Sequence, residues 1–276
     1  MPRISRGRKT VTAEREARES RGAILKIASV IIVVGVFAGI YLVVASQNKR
    51  LDPVTLCPAD PESVTVLLVD VTDPMNSAQR QDFMNQLIRL KNSIPRYGQL
   101  IVTKVDSTSG RLLKPVIERC NPGTSADVNE ATGNPAAVQK RWDEGFDKPL
   151  QSKFEELLDA SGAEQSPILE SIQSVNLTHL QKPGMEGKQK KLIVVTDLLQ
   201  NTPQISFYNR LPEASEFISS AEFRRLRTNL RDTDVELWML ERADATETQP
   251  RALADLWDKI ISVQDGNIRR VYNVSG

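Results

Sequence analysis

The chain has 276 residues, 26% of them charged, with a formal net charge of +1, one histidine and two cysteines. The lone His179 excludes His-rich zinc sites and leaves a Ser-His-Asp triad a single candidate, in the polar stretch Asn176-Leu177-Thr178-His179, where a surface histidine is expected. The near-neutral total hides two unequal parts: residues 1–45 sum to +5 and the remainder to −4, and nothing in the acidic part suggests a nucleic-acid surface.

A basic tail, residues 1–22, opens the chain with Arg3, Arg6, Arg8, Lys9, Arg15, Arg18 and Arg21. From Ile27 to Ala45 nineteen residues then pass without a charge. At ~1.5 Å per residue such a run nearly spans a ~30 Å hydrocarbon core, which predicts a transmembrane helix over 23–46 held in the lipid bilayer. A cleaved signal peptide is the rival reading, with Val43-Val44-Ala45 as its site, but signal cores usually run only ~7–15 residues behind a short leader. The excess of Lys and Arg before Ile27 predicts a cytoplasmic N-terminus and an exported C-terminal domain. That arrangement fits a single-pass protein of a bacterial inner membrane whose domain faces the periplasm. Gly35 and Gly39 have the small-xxx-small spacing that lets two helices approach, so a homodimer through this face is one expectation; glycine is also simply common in membrane helices.

Residues 47–62 hold several prolines and no apolar period, and read as a short linker that keeps the following domain close to the bilayer. Cys57 and Cys120 both fall in the exported part, where an oxidising compartment favours a disulfide. Their bridge would close a loop of roughly 64 residues, worth ~4 kcal/mol in the chain-entropy model.

The domain, residues 63–276, alternates strands and helices. Residues 64–71 (VTVLLVDV) read as a buried strand. Ser77 to Ile94 reads as a helix capped by Ser77 or Asn76, with Phe83, Leu87, Ile88 and Leu90 inward. Gln99 to Val105 is a second strand, and Leu112 to Glu118 a weaker third that Pro115 confines to an edge, expected to run antiparallel. After a polar loop, Ala136 to Leu158 carries the stripe Val138, Trp142, Phe146, Leu150, Phe154 and Leu157/Leu158 of a long helix, in steps of four and three. Pro167 to Val175 is a shorter helix, with proline in its first turn. Lys191 to Thr196 is a fourth strand, Ser220 to Leu230 a helix, Val235 to Leu240 a fifth strand, Pro250 to Val263 a helix and Ile268 to Val274 a last strand. The pattern predicts an α/β domain: a doubly wound, mostly parallel sheet with helices on both faces, preceded by one transmembrane helix.

Three stretches can carry chemistry: Asp70-Val71-Thr72-Asp73-Pro74 after the first strand, Ser166 before the helix at 167, and Thr196-Asp197 after the fourth strand. In doubly wound sheets, loops diverge where the strand order reverses and leave a crevice at the carboxyl ends of the strands. If the first and fourth strands are neighbours at the reversal, Asp70 and Asp197 face each other there. With Thr72 and Ser166 they make an all-oxygen set suited to Mg²⁺ or Mn²⁺, and two carboxylates so placed otherwise repel. The competing reading is that each carboxylate caps the turn after its strand, and each hydroxyl likewise.

This constellation resembles the metal-ion-dependent adhesion site of the von Willebrand factor A-type (vWA) domain, built from DxSxS after the first strand, a Thr before a later helix and an Asp after the fourth strand. Asp70 and Thr72 match the first two DxSxS positions, Ser166 stands in place of the Thr, and Asp197 matches the last ligand. Pro74 occupies the third position and offers no ligand, with Asp73 as an auxiliary candidate. The resemblance implies no enzyme but a membrane-anchored module that binds a protein partner through a weak divalent-metal site, as accessory or scaffold of a membrane assembly. Two alternatives stand beside it. One is a Mg²⁺-dependent phosphohydrolase with Asp70 as nucleophile, although Thr72 occupies the place where such enzymes keep an acid. The other is a metal-free structural subunit.

Overall fold

A computed structural model describes residues 26–43, 49–72, 74–105, 112–130, 133–158, 163–208, 210–241 and 251–274. The chain divides into one unit of residues 1–50 and a second of residues 51–276. In the first, an apolar helix (α1) runs Lys26–Val43 with a mean hydropathy of 2.4 over 18 residues, long and apolar enough to cross a membrane.

The second unit is built on a six-stranded sheet of order β3-β2-β1-β4-β5-β6. Its strands are β1 (Ser63–Val69), β2 (Gln99–Lys104), β3 (Ile117–Cys120), β4 (Gln189–Thr196), β5 (Thr233–Leu240) and β6 (Asn267–Val274). All neighbours pair in parallel except β2 and β3, which are antiparallel. β1 is central because all seven of its residues are buried, as a strand covered on both faces requires. Its alternate side chains feed two cores. Val64, Val66 and Leu68 enter one, and Leu67 and Val69 enter the other.

On the second of these faces lies α2 (Ser77–Ser93). Asn76, not Ser77, is its cap: the Asn76 side chain accepts from Gln79 N while the Gln79 side chain accepts from Asn76 N, so two amides at the helix start are satisfied reciprocally. Phe83, Leu87 and Leu90 point to the sheet, but Ile88 is 41% exposed, because it lies one residue past Leu87 and about 100° round the helix. The predicted long helix is present as α3 (Pro135–Trp142) and α4 (Lys148–Leu158), joined by a π-helical turn at Asp143–Asp147. The physical reason lies in the stripe itself. From Val138 to Phe154 its residues recur every four positions, so each of those steps overshoots a 3.6-residue turn by about 40°, and the wider π turn absorbs the drift. Lys91 of α2 ties to this turn through a buried ion pair with Asp147.

The opposite face carries α5 (Ile168–Val175), α6 (Ala214–Ser219), α7 (Ala221–Leu226) and α8 (Arg251–Ser262), contributing Ile172, Phe217, Phe223 and Trp257 to the first core. Pro167 caps α5 from outside rather than sitting in its first turn. Ser220 caps α7, whose helix ends at Leu226, and α6 precedes it unforeseen. A second π turn, Asn176–Leu180, swings His179 inward to 9% exposure, against the surface position expected of it.

Residues 51–62, read from sequence as linker, fold onto the domain. Asp52 Oδ1 accepts from Val54 N, Thr55 N and Thr55 Oγ1, at 2.9, 2.7 and 3.0 Å, and these bonds hold its carboxyl below the usual range. Thr55 O accepts from Cys120 N at 2.9 Å. Leu56, at φ 57°, sits over Gly145, where a β-carbon would meet its Cδ1 at 2.5 Å. Cys57 and Cys120 are bridged, with Cα atoms 4.7 Å apart. β3 begins at Ile117, later than predicted, since Pro115 cannot donate to a ladder.

Candidate functional site

The strand order reverses between β1 and β4. The chain lays down β2 and β3 on one side of β1, then returns to place β4, β5 and β6 on the other. The loops leaving β1 and β4 therefore part at one point, and the predicted residues stand there. Asp70 follows β1 directly, its N–H donating to Val195 O at 2.8 Å. Asp197 follows β4. Asp70, Thr72, Ser166 and Asp197 are all at most 5% exposed.

Asp70 is the hub. Its Oδ1 accepts from Thr72 N at 3.0 Å and Thr72 Oγ1 at 2.6 Å, while Oδ2 accepts from Ser166 Oγ at 2.6 Å and Thr196 Oγ1 at 2.9 Å. Three hydroxyls from three separate segments thus converge on one carboxylate. Sequence reasoning left Thr196 out of the set, although the Thr-Asp dipeptide closing a buried strand was visible. Thr196 is fully buried and also accepts from Leu198 N at 3.1 Å.

Asp197 joins through Thr196, whose hydroxyl lies 3.5 Å from Asp197 Oδ1, and through Leu199 N, which donates to the same oxygen at 2.8 Å. Leu198 makes both contacts possible by turning through φ 65°, an uncommon conformation for a bulky side chain. Trp257 Nε1 clamps that turn by donating to Leu198 O at 2.9 Å. Burial pushes the Asp197 carboxyl up to about 7; the bond from Leu199 N opposes this, and the Asp70 charge adds to it.

The loops are zipped over the centre. Ser166 and Asn201 exchange two backbone bonds of 2.9 Å, and Ala163 N donates to Thr72 O at 3.0 Å. Gln200, fully buried and also missed, accepts from Leu169 N at 2.9 Å, supplying the side-chain cap that Pro167 lacks for α5.

The donor chemistry suits a hard cation. Among the described residues no group of three or more His, Cys, Asp or Glu could hold a metal, so any ion here depends on the hydroxyls as well as the two carboxylates. A hydroxyl that gives its proton to Asp70 keeps lone pairs for a cation, and Mg²⁺ retains several waters in any case. Pro74 contributes no side-chain ligand, and Asp73 lies outside the described residues.

No family model and no curated protein matches the chain. Solved structures do. The SpRpn10 VWA domain is 10% identical, with 76% of this chain and 87% of that one covered at a TM-score of 0.39. An aerotolerance-related membrane protein from Bacteroides fragilis NCTC 9343, with multiple mutations to serines, is 10% identical over 78% and 92% of the two chains, TM-score 0.37. The conserved hypothetical protein BatB from Bacteroides thetaiotaomicron is 14% identical over 76% and 91%, TM-score 0.37. On its own strand order, with an antiparallel edge strand and two carboxylates at the reversal point, the chain carries a doubly wound, mostly parallel α/β domain of the kind the resemblance to vWA domains implies, and one apolar helix precedes it in sequence.

Proposed function

We propose that this protein is a membrane-anchored vWA-like module that binds a protein partner at the crest of its sheet, with Asp70, Thr72, Ser166, Thr196 and Asp197 holding one divalent cation weakly. The convergence of three hydroxyls on Asp70 beside a second buried carboxylate supports this reading. A cation would neutralise the charges of Asp70 and Asp197 together and offer the partner a coordination position for a carboxylate. α1 anchors the module, its N-terminus is cytoplasmic, and the domain works in an oxidising exported compartment where Cys57 and Cys120 stay bridged.

A phosphohydrolase gains little from this geometry. Both Asp70 oxygens already accept two hydrogen bonds each, which leaves a poor nucleophile, and Thr72 lacks the acid such chemistry needs.

Calorimetric titration of residues 51–276, the unit that contains both hydrophobic cores, tests the cation. Mg²⁺ or Mn²⁺ should bind with a dissociation constant in the millimolar range, and Asp70→Ala or Asp197→Ala should abolish binding while leaving the far-UV circular dichroism unchanged. No binding by the unaltered domain at millimolar Mg²⁺ and Mn²⁺ would sink the metal and leave the structural-subunit reading in its place.

A further inference from the structure

Leu198 turns the backbone through φ 65°, a conformation that glycine takes freely and a leucine rarely adopts. Two crest side chains depend on that turn. Leu198 N donates to Thr196 Oγ1 at 3.1 Å, and Leu199 N donates to Asp197 Oδ1 at 2.8 Å. Thr196 Oγ1 in turn donates to Asp70 Oδ2 at 2.9 Å. The amides on either side of the Leu198 α-carbon therefore hold Thr196 and Asp197, and rotation there to a negative φ would part them.

The Leu198 carbonyl is what the rest of the fold grips. It accepts from Gln200 N at 3.2 Å and from Trp257 Nε1 at 2.9 Å. The first bond is local: it closes a three-residue turn and travels with it. The second reaches in from α8, 59 residues along the chain, and fixes the turn in space. Trp257 is fully buried, its ring edge-on to Phe207 with centroids 6.4 Å apart, so its N–H is held in one direction.

The peptide group carries that grip to the crest. Leu198 O and Leu199 N–H belong to one planar unit and point opposite ways across it. An indole N–H that fixes the oxygen thereby aims the N–H at Asp197. The two bonds also polarise each other through the shared amide. The other restraints act elsewhere. The Leu198 side chain is buried in the first core, and Gln200 ties the following residues to α5 by accepting from Leu169 N and donating to Glu170, both at 2.9 Å.

We infer that Trp257 is a positioning residue of the crest: its indole N–H grips the Leu198–Leu199 peptide from one side, so that the N–H on the other side fixes the Asp197 carboxyl group. An element that supplies no ligand thus sets the geometry of one. For its effect on a cation, the inference rests on the crest reading above. Binding then falls in proportion to the population of the gripped turn.

The test uses the full chain in phosphatidylcholine nanodiscs, with Mn²⁺ as the probe and its free concentration read by electron paramagnetic resonance. Trp257→Phe keeps an aromatic ring in the core and removes the donor. It should weaken Mn²⁺ binding about tenfold, as loss of one hydrogen bond implies. Without any cation, hydrogen exchange resolved to the Leu199 amide should quicken about tenfold relative to Val194 of β4, whose exchange reports opening of the whole domain. Ile260→Ala opens a cavity on the same helix and leaves the indole in place; it should lower the melting temperature and leave both readouts unchanged. An unchanged Leu199-to-Val194 ratio in Trp257→Phe overturns the proposal. So does a raised ratio with unaltered Mn²⁺ affinity, and so does Ile260→Ala reproducing both changes, since lost packing would then explain them. If the unaltered protein binds no Mn²⁺, the cation reading fails by itself and the exchange ratio alone decides whether Trp257 positions Asp197.

Discussion

With its carboxyl pushed up to about 7, Asp197 holds a proton in the folded domain across a range where the unfolded chain, near 3.8, has released it. Its stabilising contribution is complete below about pH 4 and disappears as pH rises through about 7, to a total on the order of 4 kcal/mol at most. His179 runs the other way. Burial lowers it from 6.5 to about 4, so the stability tied to its neutral ring is present above 6.5 and is lost as pH falls toward 4. The two slopes oppose each other between those limits, and only the Asp197 slope remains above them. Thermal melts of chelator-treated domain should therefore fall as pH rises from about 6.5 to about 8, and Asp197→Asn should flatten that limb. A melting temperature that holds steady there in the unaltered domain would show that Asp197 ionises without penalty. At this scale the carboxylates were legible because each follows a buried β-strand. Thr196 and Gln200 were not, because their roles depend on which loops meet, and that is a property of the closed fold.

The strap of residues 51–58 shows how elements depend on one another. Its Leu56 fits because the π turn carries Gly145 at the contact, and because Cys57 is tied to Cys120 one residue beyond Leu56. Changing both cysteines to serine should lower stability by ~4 kcal/mol, the chain-entropy worth of a loop this long, and denaturant melts measure it. Thiol counting on unfolded, unreduced protein should find no free thiol; two would remove the premise. Gly145→Ala should cost about 1–2 kcal/mol, since the added carbon must push Leu56 aside. Among the elements, β1, β4 and β5 were plain from their short apolar runs, and the edge placement of β3 followed from Pro115. α6 was hidden: six residues are too few for a helical period to stand out from background. The π turns were hidden too, although the steps of four from Val138 to Phe154 carry a signal for the first of them. β6 is the other edge, and a register shift beside Val235 together with exposed Arg269 and Arg270 guards it against unwanted pairing.

For the whole molecule, the charge asymmetry around α1 predicts which side of the membrane the domain occupies. Alkaline phosphatase fused after residue 276 should be active, and a reporter that works only in cytoplasm should stay dark there; the reverse pattern would overturn the exported assignment. The Cys57–Cys120 bond adds a mechanical consequence. Tension entering through residue 50 meets the covalent clasp before it can reach β1, and passes by way of Cys120 into the rest of the chain. The segment between the two cysteines, with β1, α2 and β2 in it, is thereby taken out of the load path. Stretched between its ends in a force spectrometer, the oxidised domain should give a contour length shorter than the reduced one by about 220 Å, the reach of the 63 residues the bond spans at ~3.5 Å each. The central strand would then bear force only after the clasp is reduced.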